Sequence, residues 1–336
     1  MMQAILQQVG AGENLSMEQV TEVFDVIMRG EAERDQIAQL LMALRAKGET
    51  VDEVAGAALA LRRHMATIRT TRENLIDTCG TGGGGGGTFN ISTAAALVAA
   101  GAGAAVAKHG NRRMTSKSGS ADALSALGVN IEAPLETVER CLDEVGLCFC
   151  FAPLHHQSMR HVAEVRRELG VPTIFNLLGP LCNPARAPFQ LLGVGRPETR
   201  QLLAAALAKL GTRRSAVVCG ADGLGEVTLA GETHVTQVTD EGLQELVWTP
   251  RDFALESSSR DALLAEDPQA SAAIIRGVLA GEKGPPRDIV IANSAAALWI
   301  AGHGESLAAC ARQSAESIDS GAAAEVLRRL AEVSHA

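Results

Sequence analysis

The sequence predicts an α/β protein, a small all-helical domain joined to a larger α/β domain with a mostly parallel central sheet. Three features predict it. Residues 1–70 carry apolar stripes at helical spacing. A strand, a glycine loop, a helix and a second strand follow from Leu75, and short apolar runs then alternate with helical stretches.

Each element has its own local justification. Ser16 and Gln19 stand at capping-box spacing, and Val20, Val23, Phe24, Ile27 and Met28 then recur on one helical face until Gly30. Ile37, Leu40, Leu41 and Leu44 repeat the stripe up to Gly48. Thr50 and Glu53 open a third helix whose apolar face is Val54, Ala57, Ala58 and Leu61. Leu75 to Cys79 reads as a strand, Gly80 to Gly87 as a glycine loop, Ser92 to Ala100 as a helix and Ala104 to Ala107 as a second strand. That order implies a parallel pair with a right-handed crossover. Further strands are expected at Leu147 to Phe151, Gln190 to Val194 and Ala216 to Cys219, with helices at Leu135 to Val145, Met159 to Leu169 and Glu198 to Leu210. The proline-punctuated stretch Pro172 to Pro188 interrupts this alternation and is read as a return to the helical unit. The expected division is therefore 1–70 with a returning helical segment near 166–188, and 71–165 with 189–336. The alanine-rich last third reads as helices and strands without identifiable chemistry.

A chain of 336 residues, 46% apolar and 21% charged, buries a full core without metal or disulfide staples and is not disordered. Its formal charge of −9 argues against general electrostatic binding to nucleic acid or anionic lipid. No basic segment precedes the short apolar stretch at the N-terminus, and the run Thr93 to Ala107 falls short of the ~18 residues a membrane span needs. Seven cysteines, an odd number without C-x-x-C pairs, fit a reducing cytoplasm, and Cys148 and Cys150 fit one core face of a strand.

Two loops carry the chemistry. Asp77-Thr78-Cys79-Gly80-Thr81-Gly82 and the glycines up to Gly87 connect a strand end to a helix start, where free amides and the helix dipole favour an anion. No Lys-Ser or Lys-Thr follows, so this is not a Walker A loop. Gly80, Gly82 and Gly85 match a dinucleotide fingerprint, but the next strand delivers Lys108 and His109 where an acidic ribose ligand is wanted. The second loop, Lys108 to Ser120, gathers four fixed cations and four hydroxyl residues at an adjacent strand end. Alone, each also fits a solvated surface loop; together they present amides, hydroxyls and cations to one polyanion.

Several motifs in order give the chain a family likeness. They are Gly80-Thr81-Gly82-Gly83, Asn90-Ile91-Ser92-Thr93, Lys108-His109-Gly110-Asn111-Arg112, Ser118-Gly119-Ser120-Ala121-Asp122, Arg160-His161-Val162, Val165-Arg166-Arg167-Glu168-Leu169-Gly170, Phe175-Asn176-Leu177-Leu178-Gly179-Pro180-Leu181 with Asn183-Pro184, and Asp222-Gly223-Leu224. Through them the chain resembles the anthranilate phosphoribosyltransferases of tryptophan biosynthesis, which have a nucleoside-phosphorylase-like fold. The resemblance implies a cytoplasmic, homodimeric enzyme. It would transfer the phosphoribosyl group of phosphoribosyl diphosphate to the amine of anthranilate with inversion at the sugar carbon, releasing diphosphate, use Mg2+, and bind neither membrane nor nucleic acid.

It also implies site roles. Gly80, Gly83, Gly84, Thr88, Asn90, Ile91, Ser92 and Thr93 would cradle the donor. So would Lys108, His109, Gly110, Asn111, Arg112, Arg113, Met114, Thr115, Ser116 and Ser120. Anthranilate would meet Gly80, Asn111 and Arg166, with His109, Gly179 and Pro180 along its route in, and Ser92 and Glu226 would touch the metal. Catalysis would come from charge stabilisation and positioning, with no acid or base residue named.

Other readings stay open at this level. Arg166 also fits a solvent-facing ion pair in its Arg-Arg-Glu run. His155, His156 and His161 read as surface histidines, leaving His109 as the site histidine. Two positions depart from the family pattern: Gly84 and Gly225 stand where the resemblance expects aspartates. Removing two carboxylates should alter magnesium dependence, because a hard cation needs oxygen ligands. It also keeps a rival reading in view, a non-catalytic relative that binds polyanions or nucleic acid. A pyrimidine nucleoside phosphorylase of similar fold is a weaker rival, since its lysine-rich phosphate signature is absent.

Overall fold

The computed structural model describes residues 1–82, 87–112 and 118–336. Four helices open the chain: α1 (Met2–Gly10), α2 (Met17–Met28), α3 (Arg34–Lys47) and α4 (Val51–Arg63). The Ser16/Gln19 and Thr50/Glu53 boxes both form, so orphan amides at the starts of α2 and α4 are satisfied by side chains three residues away. Gly48 ends α3 at φ 88°, a conformation other residues resist. Phe24, Leu40, Leu41 and Leu44 are fully buried among these helices, each contributing roughly 1.5–3 kcal/mol over exposure.

The second unit is built on a seven-stranded sheet. In chain order it comprises β1 (Ile76–Gly80), α5 (Ile91–Gly101), β2 (Val106–Gly110), α6 (Ser120–Ala126), α7 (Leu135–Val145) and β3 (Leu147–Phe151). Next come the short α8 (Ala152–His155), α9 (Arg160–Leu169), the short α10 (Phe175–Leu178), β4 (Phe189–Gly193), α11 (Pro197–Lys209) and β5 (Arg214–Gly220). A hairpin of β6 (Thr233–Thr239) and β7 (Gly242–Trp248) precedes α12 (Pro268–Leu279), α13 (Pro285–Ile300), α14 (Leu307–Asp319) and α15 (Ala322–Ser334).

The strand order is β3-β2-β1-β4-β5-β6-β7, with β3 through β5 parallel and the β6–β7 hairpin antiparallel at one edge. The chain leaves β1 in one direction and returns on its other side at β4. The β1/β4 boundary is therefore a switch point, and crevices at strand C-termini there take ligands in open α/β sheets.

Alternate sheet residues feed two cores, as a period of two requires. Ile76, Leu191 and Val218 face the cluster under α5 and α13, whereas Cys79, Leu192 and Val217 face the cluster shared with α2, α3 and α4. Ile174, Phe175, Leu178, Leu181 and Cys182 of the returning segment lie in that second cluster. Val162 and Val165 of α9 pack there too, so contact with the helices starts before the proline-rich stretch. Cys148 and Cys150 are buried on β3 with their sulfurs 3.8 Å apart.

Candidate active site

The C-terminal ends of β1, β2 and β4 open into a cleft of about 700 Å³ facing the helical unit. One wall comes from Gly80 to Gly82, Gly87 to Ser92, Lys108 to Arg112 and Ser118 to Ser120. The opposite wall comes from α9 and the turn that follows α10, including Arg166, Phe175, Gly179 and Pro180. Glycine is required where these backbones converge. A Cβ on Gly80 would lie 3.0 Å from the Gly193 carbonyl, and one on Gly193 only 1.8 Å from the Gly225 carbonyl.

Thirteen of the residues singled out in the sequence share this cleft: Gly80, Thr88, Asn90, Ile91, Ser92, Lys108, His109, Gly110, Asn111, Arg112, Ser120, Arg166 and Glu226. Thr93 does not. Helix α5 turns it into the protein, where its hydroxyl, without a hydrogen-bond partner among the described residues, borders a void of about 10 Å³. Gly83, Gly84, Arg113, Met114, Thr115 and Ser116 lie outside the described residues.

Lys108 is not a surface cation. It belongs to β2, is buried, and its Nζ donates to the Thr78 carbonyl and to Ser92 Oγ at 3.2 Å. Burial pushes its ammonium below its ordinary value, opposed by Asp77, Cys79 and Glu226. Glu226 faces the same point; burial raises its carboxyl to about 7 against the pull of Lys108 and the Ser92 amide. Asn90 joins the two loops, its Oδ1 accepting from Ser118 Oγ at 2.7 Å and Ser271 Oγ at 2.8 Å. Arg112 is exposed and donates to Glu132 at 2.7 Å. Ser120 Oγ donates to the Asn111 carbonyl at 3.4 Å.

Arg166 lies half-buried with its guanidinium carbon 5.4 Å from the centre of the Phe175 ring. Among the described residues no carboxylate pairs with it. The acids of its own helix go elsewhere, Glu164 to Arg34 and Arg167, and Glu168 to Arg34. The solvent-facing ion pair considered for Arg166 is thus made by Arg167.

The histidines correct the sequence reading. His155 and His156 are both buried, and His156 lines the cleft with its Nε2 3.2 Å from His109 Nε2. His109 Nδ1 donates to the Gly179 carbonyl at 3.0 Å, and the Asp77 carboxylate accepts its backbone N–H at 3.0 Å. Burial, reinforced by the neighbouring imidazoles, pushes His109 well below its ordinary value and His156 down to about 4. No spacing rule marks His156, because its partner lies 47 residues upstream.

Among the described residues no group of three or more His, Cys, Asp or Glu forms a metal cage. Magnesium ordinarily takes one or two protein oxygens and completes its shell with substrate phosphates and water. Glu226 and Ser92, meeting beside Lys108 at the mouth of the glycine loop, fit that partial donor set.

A helical bundle packed on a mostly parallel sheet, with a cleft at the switch point lined by strand ends on one side and by Arg166, is the domain pair of a glycosyl transferase family. Family models described as glycosyl transferase family, helical bundle domain and a/b domain match residues 3–65 and 72–324. An anthranilate phosphoribosyltransferase of Rhodopirellula baltica is 53% identical over 96% of this chain and 94% of its own. The crystal structure of the Thermus thermophilus anthranilate phosphoribosyltransferase superposes with a TM-score of 0.93 at 43% identity, covering 99% of both chains. That of the Saccharomyces cerevisiae enzyme in complex with PRPP and Mg gives 0.90 at 28% identity, over 99% of this chain and 98% of that one. The chain belongs to the anthranilate phosphoribosyltransferase family.

Proposed function

We propose that this protein transfers the phosphoribosyl group of phosphoribosyl diphosphate to the amine of anthranilate, releasing diphosphate. The observation that carries the reading is Arg166, a guanidinium without a carboxylate partner among the described residues, lining a cleft shared with the amides and hydroxyls of Gly80 to Gly82 and Gly87 to Ser92. An aromatic carboxylate suits the first; a polyanionic sugar suits the second.

The chemistry follows from charge and position. As the bond from the sugar carbon to diphosphate breaks, negative charge grows on the leaving group and positive charge on the ribose. Amides at the start of α5, Thr88, Ser92 and Lys108 line the cleft and would stabilise the departing anion. Arg166 and Asn111 hold the anthranilate carboxylate so that the amine faces the opposite side of the sugar, which gives inversion. Bound Mg2+, held by Glu226, Ser92 and the donor's oxygens, would neutralise leaving-group charge. The donor roles of Gly80, Asn90, Ile91, Gly110, Arg112 and Ser120 rest on the same reading. So do those of Gly83, Gly84, Arg113, Met114, Thr115 and Ser116, which lie outside the described residues, and the division into 1–70 with 166–188 and 71–165 with 189–336. Homodimer formation rests on the resemblance. A cytoplasmic setting is supported by seven free, buried cysteines.

The test follows the loss of anthranilate fluorescence with phosphoribosyl diphosphate across a magnesium titration, in the wild type and in Arg166→Ala. Turnover is expected in the wild type, with a sharp loss in the variant and donor binding retained. Donor binding without turnover at any magnesium concentration would instead support a polyanion-binding relative.

A further inference from the structure

The 3-10 turn Gly179–Leu181, which puts Gly179 and Pro180 on the cleft wall, has an unusual support. Its three consecutive carbonyls are each held by a side chain from a different element. Gly179 O accepts from His109 Nδ1 of β2 at 3.0 Å, Pro180 O from Gln190 Nε2 of β4 at 2.6 Å, and Leu181 O from Arg62 Nε of α4 at 2.7 Å. Within the turn the Gly179 carbonyl also accepts the Cys182 N–H at 3.2 Å, and a buried carbonyl left unpaired is costly.

Gln190 is the informative member. It is 4% exposed, with the buried polar residues Asp77 and Ser215 in register on either side and the apolar Leu192, Cys79 and Val217 two positions further along the same face. A buried amide needs hydrogen-bond partners. Its Cα pairs in register with that of Asp77, and its Nε2 also lies 3.1 Å from Cys79 Sγ and 3.4 Å from Asp77 Oδ2. A carbonyl and a carboxylate only accept, so the amide nitrogen must face them, and the side chain has one orientation. Asp77 in turn accepts the His109 backbone N–H. One buried network therefore fixes both the His109 strand and the Pro180 turn.

We infer that Gln190, seconded by Arg62, is a positioning residue that sets acceptor affinity by fixing the Gly179–Pro180 wall, without touching either substrate. The inference rests on the proposed transferase reading and deepens it. Of the donor residues named above His109 is bonded to this turn, while Thr88, Ser92 and Lys108 belong to the β1 and β2 loops, so the signature is a larger effect on the acceptor than on the donor.

The test is Gln190→Met, close in volume but without the donor. Kinetics with each substrate varied are paired with hydrogen exchange at residues 176–183 and with thermal unfolding. Expected are a KM for anthranilate raised about tenfold, a donor KM and kcat within about twofold of wild type, and faster exchange at Cys182 N–H, which bonds Gly179 O. Gln190→Asn, which keeps the amide on a shorter stem, should fall between. Equal changes in both KM values, or wild-type exchange across the turn, overturn the inference. If the wild type does not turn over anthranilate, the function reading falls, while exchange in Gln190→Met still decides whether the turn is held as described. If Gln190→Met does not fold, Arg62→Gln must show the same split, and equal KM changes there overturn the inference.

Discussion

His109 and His156 face each other through their Nε2 atoms at 3.2 Å, and the Gly179 carbonyl decides which carries the proton. A carbonyl only accepts, so His109 holds its proton on Nδ1 and offers a bare Nε2. A hydrogen bond between the two rings then needs the His156 proton on Nε2, and the Cys182 carbonyl competes for that proton from the other side of the ring. Both rings titrate below their ordinary value of 6.5, His156 at about 4. The unfolded chain therefore binds more protons between about pH 6.5 and about pH 4, and stability falls as pH drops through that window. For His156 the loss is on the order of 3 kcal/mol. His156→Gln keeps an amide donor toward His109 but does not titrate. Its thermal midpoint should fall less steeply over the same range, and a slope equal to wild type would refute the assignment.

Arg166→Lys should separate charge from geometry. A lysine keeps the positive charge but loses the two parallel hydrogen bonds to a carboxylate and the flat contact with Phe175. One charge-assisted hydrogen bond is worth about 1.5–3 kcal/mol, so kcat/KM for anthranilate should drop roughly ten- to a hundredfold. The KM for phosphoribosyl diphosphate should not move. Initial rates with each substrate varied in turn check this, and full activity in the lysine variant would show that bidentate binding is not used.

What the sequence disclosed and concealed divides along the range of the interactions. The capping boxes at Ser16 and Thr50, the Gly48 stop and the β1-α5-β2 unit are set by residues within a few positions of one another, and all could be read. Lys108 lines the cleft, but a loop reading gives it the wrong environment. Its strand continues to Gly110 with Val106 to His109 all buried, so a strand enclosed on both faces buries it where a loop would leave it in solvent. His156, Gln190 and the inward turn of Thr93 depend on partners brought together by the fold, and no local pattern announces them. The hairpin β6–β7 was not located, because β7 alternates weakly and leaves Leu243 and Val247 about half exposed at the sheet edge.

Gly193→Ala tests the closeness of the backbones at the switch point. The added carbon would lie 1.8 Å from the Gly225 carbonyl oxygen, and backbone cannot rotate away as a side chain can. The end of β4 must separate from the segment carrying Glu226, at a cost of roughly 1–3 kcal/mol. A thermal midpoint several degrees lower is expected, together with a weaker response to magnesium because Glu226 moves from Ser92 and Lys108. A variant with wild-type stability would show that the two segments are not in contact in solution.

Gly225→Asp restores the carboxylate the family pattern expects, and the structure says whether it fits. A Cβ there would meet Val194 C at 3.3 Å and Gly195 N at 3.4 Å, tight contacts that require shifts of a few tenths of an ångström. The φ of Gly225 is outside the left-handed region, so the backbone itself accepts a side chain. A modest destabilisation of about 1 kcal/mol is expected. In exchange, a second carboxylate joins Glu226 beside the glycine loop and adds an oxygen ligand for a hard cation. The magnesium concentration giving half-maximal rate should fall severalfold relative to wild type, with the KM for anthranilate unchanged because Arg166 and the Gly179–Pro180 wall lie across the cleft. Superimposable magnesium curves for the two proteins would mean that the glycine at this position does not limit metal use, and that Glu226, Ser92 and the diphosphate suffice.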